Sequence, residues 1–144
     1  MSVAHILKQK GGAIFTVMPK DSMQSIVDAL AKHRIGAVVV VNAAGDIAGI
    51  VSERDVVRAM AGNGAGVMSK TAGDIMTAKV RTCSPSDTEA DLMALMTEHR
   101  TRHLPVVASG KLAGMISIGD VVKHRMEMME QEAEQMKSYI ASAG

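Results

Sequence analysis

Along the chain the spacing of apolar residues changes period several times, and each change marks an element. Ala13 to Val17 reads as a short strand and runs into Pro19, Asp21 and Ser22, residue types that suit a helix start. Ile26, Val27, Leu30 and Ala31 then recur at helical spacing. Ala37 to Val41 is unbroken apolar sequence, as expected of a strand covered on both faces. A turn at Ala44-Gly45 leads to a third strand, Ile47 to Val51, and another helix opens at Ser52. The succession then starts again. A strand over Lys79 to Cys83 precedes a helix carrying Leu92, Leu95 and Met96; strands follow at Leu104 to Val107 and Leu112 to Ile116 around the turn Ser109-Gly110, and a helix opens at Ser117.

The two halves match residue by residue. Adding 66 to Thr16, Pro19, Asp21, His33, Arg34, Val40 and Val41 gives Thr82, Pro85, Asp87, His99, Arg100, Val106 and Val107. One residue is lost in a turn; adding 65 then takes Gly45, Ala48, Gly49, Ser52 and Asp55 to Gly110, Ala113, Gly114, Ser117 and Asp120. A single slip inside a turn is what a duplicated unit shows, because loops tolerate length changes. The pattern therefore predicts a first unit over 1–62, a linker rich in Gly, Ser and Ala over 63–73, and a second unit over 74–126. Units of about 60 residues bury little surface alone, so the expected architecture is a pseudo-symmetric α/β pair sharing a core.

Beyond Asp120 the helical pattern continues without Gly or Pro until Gly144, giving a C-terminal extension over 127–144. Val122, Met126, Met129, Ala133, Met136 and Ile140 step by four and three in alternation, a heptad-like seam. It packs either on a partner chain or over its own module.

Composition narrows the chemistry. In 144 residues the formal net charge is +1, with one Phe, one Tyr and no Trp, so neither the electrostatic footprint nor the stacking faces of a nucleic-acid binder are present. No apolar run approaches a membrane span. Cys83 is a single cysteine, which excludes an internal disulfide and paired-cysteine metal knuckles; it reads as a small buried hydrophobe in a cytoplasmic protein. No sequence pattern supplies a nucleophile, base and orienting group, so no catalytic residue, catalytic cofactor or metal ligand is expected. The repeated His33-Arg34 and His99-Arg100 sit where cations favour a helix C-terminus.

What remains is the repeated Ser-x-x-Asp. A strand that ends in Ser and opens a helix places backbone N–H groups and a hydroxyl where a phosphate can sit. The Asp three residues on can accept both hydroxyls of a ribose diol. The same spacing also makes a capping box, in which Ser and the acidic residue satisfy the helix start, and the two roles can coexist.

The stretches Gly49-Ile50-Val51-Ser52-Glu53-Arg54-Asp55 and Gly114-Met115-Ile116-Ser117-Ile118-Gly119-Asp120, with Arg102-His103-Leu104-Pro105-Val106-Val107 ahead of the second, resemble the nucleotide motif of CBS domains. The likeness runs from about Ala13 to Val122. It implies a tandem pair of β-α-β-β-α units packed sheet to sheet, with an adenosine ligand such as AMP, ADP, ATP or NAD(H), or less readily S-adenosylmethionine, in the cleft. It further implies ribose roles for Asp55 and Asp120, phosphate roles for Ser52 and Ser117, and a homodimer of modules. Arg102, His103 and Arg54 are candidates to meet phosphate, and Val80, Leu104, Pro105 and Ile118 to flank the purine with Gly119 close by; Thr82 is a further nucleotide-binding candidate. Ile118 and Gly119 in the second motif suit a base lying close to backbone, whereas Glu53 in the first repels phosphate, partly offset by Arg54, so the pair Ser117 and Asp120 is expected to bind more tightly. The functional expectation is a regulatory nucleotide-binding module that acts on a separate protein target. The alternative is a structural dimer with degenerate pockets that works through its C-terminal helix.

Overall fold

The computed structural model describes residues 2–143; Met1 and Gly144, the outer bounds of the two expected end segments, lie outside the described residues. Its elements are α1 (Val3–Lys10), β1 (Thr16–Val17), α2 (Met23–His33), β2 (Ala37–Val41), β3 (Ile47–Ser52) and α3 (Glu53–Asn63). A 3-10 helix (Gly64–Ser69) and a short α4 (Ala72–Ile75) lead to α5 (Glu89–His99), β4 (His103–Ala108), β5 (Lys111–Ser117) and α6 (Ile118–Ala143). The Gly-rich stretch expected as linker is therefore largely helical. Val67 and Ala72 from it are buried in the first unit, which supplies the apolar contact that Gly and Ser alone would not.

Period two explains the buried central strand. Val38 and Val40 enter the first unit's core with Val17, Met23, Ile26 and Val51, whereas Ala37 and Val39 are equally buried on the opposite face. In the second unit Leu104 and Val106 play the core role with Leu92, Met96, Ile116 and Val121, and Pro105 is buried on the other face. Each unit thus has its own helix-covered cluster, in place of the single shared core expected from chain length.

The leading strands are shorter than the sequence predicts. In the first unit only Thr16 and Val17 pair with β2, in parallel. In the second unit the Lys79–Cys83 strand reduces to one bridge, in which Cys83 N–H donates to Pro105 C=O at 2.9 Å and Val107 N–H donates to Cys83 C=O at 2.9 Å. The next ladder bond would need an N–H on residue 105, and proline has none. Val39 stands at the matching place in the first unit and keeps its N–H.

Each unit borrows the helix that precedes its partner. At the start of α1, Val3 N–H donates to Asp87 C=O (2.8 Å) and Ala4 N–H to Pro85 C=O (3.0 Å), so Val3 and Ile6 enter the second unit's core. At the start of α4, Ala72 N–H donates to Asp21 C=O and Gly73 N–H to Pro19 C=O, both at 2.9 Å. The chain therefore crosses between units twice, over residues 10–15 and again over 76–81.

Candidate functional site

A cavity opens at each crossing. The first, of about 470 Å3, is lined by Ser52, Arg54, Asp55 and Arg58 from the start of α3, by Thr77 to Arg81 of the crossing segment, and by His99 to His103 of the second unit. The second, of about 230 Å3, is lined by Ser117 and Asp120 at the start of α6, by Lys10 and Ala13 to Phe15 of the other crossing, and by Arg34 to Ala37. The correspondence follows the repeat: Ala13, Ile14 and Phe15 stand where the first cavity has Lys79, Val80 and Arg81. His103 lines both cavities.

Both motifs form capping boxes. Ser52 Oγ accepts from Asp55 N–H at 3.3 Å, while Asp55 Oδ2 accepts from Ser52 N–H at 2.8 Å and Ser52 Oγ–H at 3.0 Å. Ser117 and Asp120 repeat this at 3.2, 2.8 and 3.0 Å. The cap aims each carboxylate at its cavity, so capping and ligand roles are compatible, as the spacing allows. The two carboxylates differ in their further company. Asp55 Oδ1 accepts from Thr77 Oγ1–H across the crossing at 3.1 Å. Asp120 meets an ammonium: Lys10 Nζ donates to its Oδ2 at 2.7 Å and to Met115 C=O at 2.8 Å. Burial pushes the Asp120 carboxyl up, but the Lys10 and Ser117 hydrogen bonds outweigh it and hold the group below its ordinary value.

The charge of the two cavities is equally unlike. Arg54, Arg58, Lys79, Arg81, Arg100 and Arg102 face the first, with Asp55 as the opposing carboxylate. Glu53, expected to repel phosphate there, is not among the residues that line it; its Oε1 lies near Gly36 and His103. One of the grounds for ranking the second motif as tighter is thereby weakened. Burial, then the charge of Lys10, depresses the His103 pKa, so the imidazole between the cavities is held neutral more firmly than a free one.

The expected site residues separate. Val80 and Arg102 line the cavity of Ser52 and Asp55 and not that of Ser117 and Asp120, while His103 lines both. Leu104 is fully buried in the second core, and Pro105 is buried on the sheet's other face, since consecutive residues of one strand point to opposite faces. Ile118 packs on the second core, while exposed Gly119 lies in a groove on the outer side of α6. Thr82 is exposed outside both cavities. The sequence reading passed over Lys10, Thr77, Lys79, Arg81 and Arg100. The repeat offset links the segments that carry several of them, but only the exchange of leading helices shows which motif each segment faces.

Arg34 and Arg100 close α2 and α5 in the left-handed region, with φ of 52° and 50°. The histidines before them end those helices, consistent with the end-charge reading. Each arginine is held at a cavity mouth at a backbone cost that glycine would avoid. Cys83 is a core thiol, its pKa pushed up to about 12 by burial and then by Asp87. Among the described residues no cluster of three or more His, Cys, Asp or Glu is placed to hold a metal, and no helix is long and apolar enough to cross a membrane.

Comparison with known proteins places these features in context. The profile of the CBS domain matches twice, over residues 12–62 and 72–127. The chain is 45% identical to a CBS-domain-containing protein of Agrobacterium tumefaciens of known structure, covering 87% of this chain and 99% of that one, with a TM-score of 0.84. It is 33% identical to the mitochondrial CBS domain-containing protein CBSX3 of Arabidopsis thaliana over 96% of this chain and 71% of that protein. The CBS domain pair of protein MJ0100, solved with 5′-methylthioadenosine and S-adenosyl-L-methionine, shares the fold at 22% identity and a TM-score of 0.79, over 89% of this chain and 98% of that one.

Proposed function

The chain belongs to the CBS-domain family, and from that premise we propose that it is a regulatory module that binds an adenine nucleotide, with the Ser52–Asp55 cavity as its principal site. The observation that carries this reading is the charge of that cavity: one buried, capped carboxylate stands opposite six Lys and Arg side chains. A ribose diol on Asp55 leaves the phosphates facing Arg54, Arg58, Arg100 and Arg102, and charge-assisted hydrogen bonds of this kind are the strong ones. The volume suits a nucleotide, since small-molecule sites span about 300–1,000 Å3.

Charge also orders the ligands. ATP, ADP and the pyrophosphate of NAD(H) engage more of the wall than AMP does. S-adenosylmethionine, which carries a sulfonium and is one ligand of the MJ0100 pair, meets repulsion here. The second cavity is smaller, and Lys10 already neutralises its Asp120, so it is the weaker site. This reverses the order expected from the motifs alone.

The module binds without turning the nucleotide over, and its output is mechanical. A ligand at the crossing touches both units at once and shifts their relative arrangement by its differential affinity for the two. The change passes to a separate protein target. A nucleotide-containing compartment is required, a condition that the cytoplasm and the mitochondrion named for the Arabidopsis relative both meet. Calorimetric titration with ATP, ADP, AMP, NAD(H) and S-adenosylmethionine tests the reading. The expected order places ATP and ADP first and S-adenosylmethionine last, with affinity falling as salt rises. Binding that ignores salt and prefers S-adenosylmethionine would refute the assignment.

A further inference from the structure

The helix α6 runs on well past the body of the molecule. From Met129 to Ala143 every residue is exposed, a stretch of roughly 22 Å at helical rise. A free helix of about fifteen residues is marginal in water. This one also carries a line of apolar side chains that none of the described residues covers: Met126, Met129, Met136 and Ile140 are exposed by 58, 56, 59 and 63%. The line begins on the body at Val122 and continues unbroken into the extension.

We infer that α6 pairs with α6 of a second copy as a parallel, in-register two-stranded coiled coil. The seam puts Met126, Ala133 and Ile140 at a positions and Val122, Met129, Met136 and Ala143 at d positions. The flanking charges commit the partner. At g stand Arg125 and Glu132, and at e stand Glu130 and Lys137. In a parallel pair each g residue faces the e residue of the next heptad on the other helix. Arg125 then meets Glu130 of the second copy, and Glu132 meets Lys137 of the second copy; both contacts are of opposite sign, and each forms twice by symmetry. Within its own chain Lys137 reaches Glu134 at 3.7 Å and Arg125 stands 3.9 Å from Glu89; both cations are exposed, and such weak ties leave them available. The C-terminal helix is thus a self-association surface, and the two modules of a dimer sit side by side at the same end of the coil.

Sedimentation equilibrium on the full chain without nucleotide tests this independently of the binding proposal. A dimer in the micromolar range is expected for the native chain and a monomer for the double variant Met129→Lys/Met136→Lys. Circular dichroism reports that the body stays folded, since both positions are solvent-facing. Glu132→Lys weakens the dimer, and adding Lys137→Glu restores it. Ile140→Cys in a Cys83→Ala background forms an intermolecular disulfide on mild oxidation, as only a parallel in-register pair allows. A monomeric native chain, a dimer that survives the double lysine variant, or the absence of that crosslink each overturns the inference.

Discussion

At the scale of single residues, the two motif aspartates share a cap and differ in their further partners. Asp120 is tied to Lys10, so its carboxylate stays ionised in the folded chain to lower pH than in the unfolded one. The stability this supplies is present above the ordinary carboxylate range and is lost as pH falls through the depressed folded value. Lys10→Met removes the tie, so acid unfolding followed by circular dichroism begins at a higher pH in that variant. Because both partners are part-exposed, the loss near neutrality stays within about 1 kcal/mol. His103 works in the same direction. With its pKa below the ordinary 6.5, the unfolded chain takes up a proton just under that pH that the folded chain refuses. Stability therefore rises with pH through that window and levels above it, and His103→Gln flattens the slope in urea titrations run across it. Arg100 separates stability from function: Arg100→Gly relieves a positive φ that costs about 1–2 kcal/mol, partly offset by about 0.4–1 kcal/mol of added unfolded-chain entropy. The fold is therefore at least as stable, yet the change removes a cation from the first cavity and weakens ATP. A variant that lost stability, or that bound ATP unchanged, would contradict the role given to this residue.

At the scale of elements, much of the fold was legible because each unit states its pattern twice. The central strands, the hairpin turns and the helices fell where the apolar period put them. The leading strands did not, and Pro105 explains one of them: a missing N–H on the neighbouring strand leaves no mark in the Lys79–Cys83 stretch itself. The exchange of α1 and α4 was not legible either. Val3 and Ile6 look like an ordinary N-terminal segment until the second unit is seen to need them as core. For the same reason the site was half legible. Ser52, Asp55, Ser117 and Asp120 announce themselves, but the sequence could not show that Arg102 and Val80 face the first motif and not the second. Close approach at the exchanged elements gives a graded test. A Cβ on Gly49 would lie 2.9 Å from Thr77 C=O, a backbone atom with little freedom, and 2.5 Å from Met76 Sδ. Gly49→Ala is therefore expected to cost about 1–3 kcal/mol in chemical denaturation. At Gly114 the Cβ would meet Leu7 Cδ2 at 2.6 Å, the tip of a flexible side chain. Gly114→Ala is expected to cost less in the same measurement.

At the scale of the whole molecule, the two crossings turn a duplicated unit into one device with unequal sites. Each cavity takes its aspartate from one unit and its opposite wall from the other, so ligand in either bridges the pair. The first is large and cationic; the second is small and already holds a lysine. α6 grows out of the second motif, so the helix that bears the self-association seam begins at Ser117 and Asp120. Calorimetric titration of ATP into the native chain, Asp55→Asn and Asp120→Asn tests the central claim most directly. The account predicts saturable binding that Asp55→Asn weakens by about 1–3 kcal/mol, roughly 5- to 150-fold, while Asp120→Asn leaves the tighter site in place. Equal affinity in the native and Asp55→Asn proteins, or loss of the tight site in Asp120→Asn alone, would contradict it.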